Sequence, residues 1–149
     1  MADHGKSVFA AAWSLLKNRE DAEDVVQETF LRYYTCSRDF ETRDHLRAWL
    51  LRVAMNRAKD LLRSAARQRT VPLEPELQGE ALPQGESGEL LRAVLALPER
   101  YRGAVHLYYY EDYSLREIAG ILGLPQATVK TRLFRARQLL RQALEEDDT

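Results

Sequence analysis

A single cysteine, Cys36, stands among the 149 residues of the sequence, so no disulfide bond can form within the chain. No apolar run reaches the roughly 18 residues of a membrane span, and the N-terminus lacks the apolar segment and cleavage site of a signal peptide. Glycine is rare before residue 79 and runs of β-branched residues are absent, so strand signals are scarce. These absences predict an α-helical protein of the reducing cytoplasm that does not insert into a membrane.

Signatures of enzyme chemistry are also scarce. The three histidines, His4, His45 and His106, lie far apart in the sequence without the spacing of metal ligands. Cys36 has no neighbouring base that could activate its thiol, and no glycine-rich phosphate loop occurs. We therefore expect no catalytic residue, no metal ion and no cofactor, and we interpret the chain as not an enzyme.

Helical periodicity runs along most of the chain. Up to about residue 67, apolar residues recur three and four positions apart in three successive stretches, which predicts a three-helix domain. Asn18 is placed to cap the second helix, whose first turns are rich in the carboxylates that the helix dipole favours there. The third helix is predicted over about 44–67, with these buried positions: Leu46, Trp49, Leu50, Val53, Leu61 and Leu62.

Residues 70–88 differ in composition from the sequence on either side. They hold three of the five prolines, three of the seven glycines and four glutamates, with no lysine or arginine. This composition is typical of a flexible linker, here an acidic one. We therefore predict two all-α domains, over residues 1–69 and 89–149, that are joined by the linker 70–88.

A helix-turn-helix pattern begins at Ser114 in the second domain. Ser114 and Glu117 have the spacing of a capping box, and Gly123 suits the left-handed conformation of a turn. Three residues of the first helix are expected to face the core: Ile118, Ala119 and Leu122. Val129 and Leu133 are expected to anchor the second helix, which predicts an outward face that binds DNA. The candidate DNA contacts on that face are Lys130, Thr131, Arg132, Phe134 and Arg135.

The charges are distributed unevenly although the net charge is only −1. Residues 19–28 carry five acidic side chains and one basic, whereas residues 47–69 carry seven basic side chains and one acidic. Residues 126–141 carry five basic side chains and none that is acidic. Two basic helices in separate domains favour nucleic-acid binding, because they neutralise phosphates irrespective of base sequence.

Two parts of the chain resemble a known family. The residues DAEDVVQETFLRYY (21–34) and AWLLRVAMNRAKDLLR (48–63) are similar to region two of the extracytoplasmic-function sigma factors, a branch of the sigma-70 family. The residues LPERYRGAVHLYYYEDYSLREIAGILGLPQATVKTRLFRAR (97–137) resemble their region four. The resemblance covers about residues 8–67 and 89–144, in the order that the family has. It implies a transcription initiation factor that binds core RNA polymerase and directs it to promoters.

Family region two binds the clamp helices of the largest polymerase subunit and recognises the melted −10 element. The resemblance implies polymerase contacts by Asp21, Glu23, Asp24, Gln27 and Phe30. It implies contacts with the −10 strand by Phe40, Asn56, Arg57 and Asp60, with Phe40 in a loop of about residues 37–43 that receives a flipped base. The family often has Arg-Gly after this phenylalanine, whereas this chain has Glu41 and Thr42.

Family region four binds the flap of the second-largest polymerase subunit and places its recognition helix in the major groove of the −35 element. The candidate DNA contacts named above lie at the matching positions. A cluster of four tyrosines, Tyr108, Tyr109, Tyr110 and Tyr113, is interpreted as core packing and flap-binding surface. The acidic linker resembles the family segment that threads towards the RNA exit channel. Many members are controlled by an anti-sigma factor, which makes such a protein a further candidate partner.

A free-standing helix-turn-helix DNA-binding regulator is the alternative. It explains the second domain but leaves the acidic helix of the first domain without a function. Such a regulator binds its operator alone, whereas a sigma factor of this kind binds promoters well only together with the polymerase.

Overall fold

The computed structural model describes residues 2–36, 38–68 and 88–147. Within these ranges the chain forms helices and their connections and contains no strand, which confirms the all-α class. The chain divides into two compact units, Met1–Glu76 and Leu77–Thr149. Apart from Gly88, the predicted linker lies outside the described residues, so the domain boundaries stay a prediction.

In the first unit, the described residues up to 68 form three helices: α1 (Ala2–Leu16), α2 (Arg19–Thr35) and α3 (Arg43–Gln68). The turn between α1 and α2 places Lys17 at a positive φ of 55°. Asn18 then caps α2, as predicted, by accepting a hydrogen bond from the Asp21 N–H at 3.1 Å. Glu20 and Asp21 occupy the first turn of α2, where the helix dipole stabilises negative charge.

The core of the first unit lies where α1 and α2 pack against α3. Its central cluster is Val8, Ala12, Ala22, Val25, Leu50 and Ala54. The residues of α3 that are fully buried are Leu50, Leu51, Ala54, Met55 and Ala58. Of the positions of α3 predicted to be buried, Leu50 is fully buried. Leu46, Trp49 and Leu61 are partly buried and pack against the central cluster, whereas Val53 and Leu62 are only partly buried. The fully buried positions recur every three to four residues, on the side of α3 where α1 and α2 pack.

The described part of the second unit, residues 88–147, forms four α-helices and one π-helical turn. The helices are α4 (Gly88–Ala96), α5 (Glu99–Val105), α6 (Leu115–Leu122) and α7 (Gln126–Asp147), and the π-helical turn, His106–Tyr110, continues α5. Helix α7 contacts α4, α5 and α6, so the other helices of the unit pack around this long helix. Pro98 stands at the N-cap position directly before α5, where it makes no side-chain hydrogen bond.

The π-helical turn brings together a buried polar pair that the sequence did not predict. The Glu111 N–H donates to the His106 carbonyl oxygen at 3.1 Å, five residues back. His106 Nε2 then lies 3.2 Å from Glu111 Oε1, and both side chains are buried. The Tyr110 ring stacks on the His106 ring with a centroid separation of 5.7 Å. The pair satisfies two polar groups whose burial alone is costly.

Candidate nucleic-acid interface

The start of α6 is fixed by two reciprocal hydrogen bonds. The Glu117 N–H donates to the Ser114 hydroxyl at 3.2 Å, and the Ser114 N–H donates to the Glu117 carboxylate at 3.0 Å. This confirms the predicted capping box, which provides partners for amides that a helix start leaves unsatisfied. Behind the cap, three residues three and four positions apart are buried against the unit: Ile118, Ile121 and Leu122. Ala119, predicted to face the core, lies at the flank of this stripe and is only half-buried.

The turn between α6 and α7 depends on Gly123. Its φ of 68° and ψ of 38° place it in the left-handed region, as predicted. The backbone then closes through a hydrogen bond from the Leu124 N–H to the Ala119 carbonyl oxygen at 3.0 Å. Residues with a Cβ are strained in this conformation, so glycine allows α6 to end and α7 to begin with only three residues between them. The capped start of α6 and this turn together set the direction in which α7 leaves.

Helix α7 is anchored by Val129, Leu133 and Ala136, each of which is buried. Successive residues of an α-helix are about 100° apart, so the direction of every other side chain follows from Val129. Thr131 and Phe134 project about 160° and 140° away from the anchored side. Phe134 accordingly has 57% of its surface exposed, which is unusual for a large apolar side chain. The first half of α7 therefore presents an outward face of the kind that enters a major groove.

Two arginines of α7 are held sideways rather than outward. Arg132 lies about 60° from the direction of Val129, and its Nη1 donates to the Arg100 carbonyl oxygen at 3.3 Å. Arg137 Nε donates to the Tyr109 hydroxyl at 2.6 Å. Arg135 lies about 120° from Val129, closer to the outward face. The structure thus distinguishes Arg135 from Arg132, which the sequence treated as equivalent.

The exposed surface of α7 is also strongly positive. Residues 126–141 carry five basic side chains and no acid, and four of the five are exposed: Lys130, Arg135, Arg137 and Arg141. The Thr131 hydroxyl is occupied within the helix, since it donates to the Ala127 carbonyl oxygen at 3.0 Å. As an acceptor, that hydroxyl oxygen can still receive a hydrogen bond from a base or from another side chain.

The acidic surface predicted on the first unit lies along α2. Its exposed members are Asp21, Glu23, Asp24 and Gln27, and Phe30 is half-buried against the core. Arg19 pairs with Glu23 at 3.1 Å, which leaves the negative charge only partly compensated. Sequence analysis missed two exposed apolar residues beside this surface, Leu31 and Tyr34, which are 64% and 70% exposed. The sequence pattern could have revealed them, because both residues are apolar although they lie outside the helical spacing of the apolar stripe of α2.

Phe40 lies in the connection between α2 and α3, where its ring packs between aromatic neighbours. Its centroid is 6.1 Å from that of Tyr33 on α2 and 5.4 Å from that of Trp49 on α3. The Arg38 guanidinium lies 5.8 Å from the same ring. Phe40 is therefore half-buried on a platform built by two helices and remains accessible from one side. Of the predicted loop, Ser37 lies outside the described residues.

The predicted −10 residues of α3 differ in their surroundings. Asn56 and Asp60 are exposed and lie four positions apart, so they share one face of the helix. Arg57 is partly buried, and its Nε donates to Glu28 on α2 at 2.6 Å. This hydrogen bond raises the pKa of the Arg57 guanidinium above its ordinary value. Arg57 thus joins α2 to α3 at the edge of the surface that Asn56 and Asp60 form.

Among the described residues, no group of three or more histidine, cysteine, aspartate or glutamate side chains is arranged to hold a metal ion. None of the helices in the described part of the chain has the length and apolar character needed to cross a membrane.

Comparison with known proteins extends over both units. The family model for Sigma-70 region 2 matches residues 1–68, and the model for Sigma-70 region 4 matches residues 87–140. RNA polymerase sigma factor SigV of Bacillus subtilis (strain 168) is 31% identical over 153 residues, which cover 99% of this chain and 90% of that protein. ECF RNA polymerase sigma factor SigW of the same organism is 31% identical over 156 residues, covering 92% of this chain and 82% of that protein.

Solved structures give the same result. The sigma factor RpoE in complex with the anti-sigma factor NepR, from Bartonella quintana, has a TM-score of 0.75 at 26% identity, covering 97% of this chain and 93% of that chain. CnrH in complex with the cytosolic domain of CnrY has a TM-score of 0.70 at 31% identity, covering 98% of this chain and 85% of that chain. The similarity therefore includes the sequence, the order of the two regions and the fold.

Proposed function

Because the chain belongs to the family of extracytoplasmic-function sigma factors, it directs RNA polymerase to promoters, and we propose that its two helical units divide this work between the two promoter elements. The observation that carries the proposal is the outward face of α7. A capped α6, a left-handed Gly123 and a buried Val129 hold a basic helix in the position that a recognition helix needs. The polymerase supplies the chemistry of RNA synthesis, so we assign no catalytic residue to this chain.

The second unit binds the −35 element through α7. Thr131, Phe134 and Arg135 lie nearest the outward direction and contact base edges, with the Phe134 ring suited to a thymine methyl group. Lys130, at about 100° from Val129, reaches the phosphates on one side of the groove. Arg132, tethered towards α5, holds the phosphates on the other side. Base contacts provide sequence preference, while phosphate contacts provide position and affinity.

The first unit binds the melted −10 strand through α3 and the Phe40 connection. A flipped base needs an aromatic surface on which to stack and polar groups that recognise its edge. Phe40, supported by Tyr33 and Trp49, supplies such a surface. Asn56 and Asp60 supply hydrogen-bonding groups on one exposed face. Arg57 stabilises that face through Glu28 and adds positive charge near the strand.

The acidic surface of α2 binds the clamp helices of the largest polymerase subunit. Its exposed carboxylates and amide, on Asp21, Glu23, Asp24 and Gln27, lie beside the half-buried Phe30. Negative charge repels DNA, so this face is suited to protein and not to a promoter. Leu31 and Tyr34 add exposed apolar area to the same helix, and burying such area stabilises a protein interface.

In the second unit, Tyr109 and Tyr110 are about half exposed, whereas Tyr113 is buried. This division supports the interpretation of the tyrosine cluster as core on one side and flap-binding surface on the other. The relative RpoE is known in complex with the anti-sigma factor NepR, which supports an anti-sigma factor as a further partner of this chain. A factor that works on RNA polymerase meets it in the cytoplasm, where we place its action.

The test compares the full chain alone with the full chain bound to core RNA polymerase. Promoter fragments with intact or scrambled −35 and −10 elements are assayed by fluorescence anisotropy and run-off transcription. We expect selective binding and transcripts only with core polymerase. Tight, selective binding by the chain alone, unchanged when polymerase is added, would instead identify a free-standing helix-turn-helix regulator.

A further inference from the structure

A cavity of about 370 Å³ lies between the start of α5 and the first half of α7. Its lining residues are Arg100, Tyr101, Ala127, Thr128, Thr131, Arg132 and Arg135. Arg100, Thr131 and Arg135 are exposed, so the cavity opens to solvent, while the Tyr101 ring is buried and forms part of its wall. The cavity belongs entirely to the second unit and shares Thr131 and Arg135 with the outward face of α7.

The charge of this cavity is of one sign. Three of the seven lining residues are arginines and none is acidic, so three guanidinium groups repel one another around a shared opening. Arg100 lies over the Tyr101 ring, with its Cζ 4.6 Å from the ring centroid, and its Nη2 lies 3.4 Å from the Tyr101 hydroxyl. Hydrogen bonding from Arg100, and to a smaller extent from Arg135, holds the pKa of Tyr101 below its ordinary value. The opening therefore favours a negative charge.

Arg132 lines the cavity and connects its α7 side to its α5 side. Its Nη1 donates to the carbonyl oxygen of Arg100, so the backbone of α5 and the side chain of α7 are joined at this point. A guanidinium group has five N–H donors, so this single bond does not exhaust the hydrogen-bonding capacity of Arg132. Arginines held in this manner recognise phosphate oxygens with little loss of side-chain freedom.

We propose that this cavity binds one phosphate of the DNA backbone beside the −35 element, with Arg100 and Arg132 as its main ligands and the Tyr101 hydroxyl as a further donor. The proposal rests on the −35 function assigned to α7, since DNA lying against Thr131 and Arg135 carries its backbone across the mouth of the cavity. The volume of the cavity exceeds that of a small ion, so it can hold a backbone phosphate together with parts of the two sugars attached to it. Arg100 thereby brings α5 into an interface that the sequence placed on α7 alone.

The first experiment measures promoter binding by the full chain assembled with core polymerase, at several salt concentrations. Arg100→Ala is expected to weaken binding roughly tenfold, since it removes hydrogen bonds to a charged group. The loss is expected to be equal for all −35 sequences, and the slope of log K against log salt should fall by about one phosphate contact. The matched control is Arg92→Ala, an exposed arginine of α4 outside the cavity, which should leave affinity and slope unchanged. Arg100→Lys, which keeps the charge, should restore the slope.

The second experiment locates the phosphate. Single backbone phosphates flanking the −35 element are replaced by neutral methylphosphonates, one position at a time. At one position the replacement should weaken the wild-type holoenzyme but cause no additional loss with Arg100→Ala. If the losses from Arg100→Ala add to those of every replacement, Arg100 holds no backbone phosphate and the proposal is wrong.

A third arm distinguishes DNA from a small free anion. Inorganic phosphate replaces chloride at constant ionic strength in the same assay. The proposal expects no specific competition by free phosphate. If phosphate displaces promoter DNA from the wild type but not from Arg100→Ala, the cavity is a small-anion site and the assignment to DNA fails.

A comparison of two variants distinguishes a wrong assignment of the cavity from a wrong assignment of the −35 element. Arg135→Ala is measured beside Arg100→Ala in all assays. If only Arg135→Ala lowers −35 binding, α7 reads the element and the cavity is not a DNA contact. If neither variant lowers binding, the −35 assignment itself is wrong and the inference fails with it.

Discussion

Two glycines of the helix-turn-helix, three positions apart, are expected to respond to the same substitution with opposite signs. A Cβ added at Gly120 or at Gly123 meets no atom within 4 Å, so neither change to alanine creates a clash. Gly120 lies inside α6, where alanine is favoured over glycine by about 0.5–1 kcal/mol. Gly123 has a φ of 68°, a left-handed conformation that costs a residue with a Cβ roughly 1–2 kcal/mol. Gly120→Ala should therefore stabilise the second unit, and Gly123→Ala should destabilise it.

Scanning calorimetry of the full chain measures both effects. A change of 1 kcal/mol shifts the melting temperature of a domain of this size by about 4–8 °C, so the two variants should differ by at least several degrees. Leu133→Ala identifies the transition of the second unit, because the cavity that it creates lies wholly within that unit. Since no neighbouring atom has to move, holoenzyme binding to the −35 element at low temperature should be nearly unchanged in both variants. Equal shifts of the same sign would refute the argument from backbone conformation.

Three further predictions concern the binding surfaces. Arg135→Ala should change the preference among −35 sequences by about 1–3 kcal/mol in a holoenzyme binding assay on a library of elements. Arg132→Ala should weaken binding to all sequences alike, and the reverse result would exchange the roles of the two arginines. Reversing the charges of Glu23 and Asp24 together should weaken binding to core polymerase, measured by anisotropy, because it removes negative charge from the exposed face of α2; intact binding would show that the clamp contacts another face. Phe40→Ala should slow promoter opening, followed by permanganate footprinting, more than it weakens the closed complex; an unchanged yield of open complex on several promoters would remove Phe40 from −10 recognition.

Local features of the fold followed from the sequence because they depend on residues close together in the chain. The Ser114 and Glu117 cap, the left-handed Gly123 and the anchoring by Val129 and Leu133 each involve a few neighbouring positions. Spacing and residue type are sufficient to predict such features.

Features that depend on packing between helices did not follow. Ala54 and Met55 of α3 are buried on the side where α1 and α2 pack. A neighbouring stripe with Trp49 and Val53 has the same helical spacing, so the spacing within α3 does not decide which stripe lies at the centre. The sideways tether of Arg132 likewise depends on a carbonyl group 32 residues earlier in the chain. The proposal that Arg135 and not Arg132 reads bases therefore required the structure.

The π-helical turn at residues 106–110 has a consequence for how relatives of this chain are aligned. A π-helical turn connects residues five positions apart, whereas an α-helical turn connects residues four apart. The additional residue brings His106 and Glu111 to the same side, where their side chains meet. In an uninterrupted α-helix, residues five apart point about 140° away from each other and cannot pair. A relative with one residue fewer in this segment would thus lose the pair while keeping α5 and α6. An alignment should place its gap between positions 107 and 110, and not in the capped start of α6, where a shift of one residue would turn Ile118 and Leu122 out of the core.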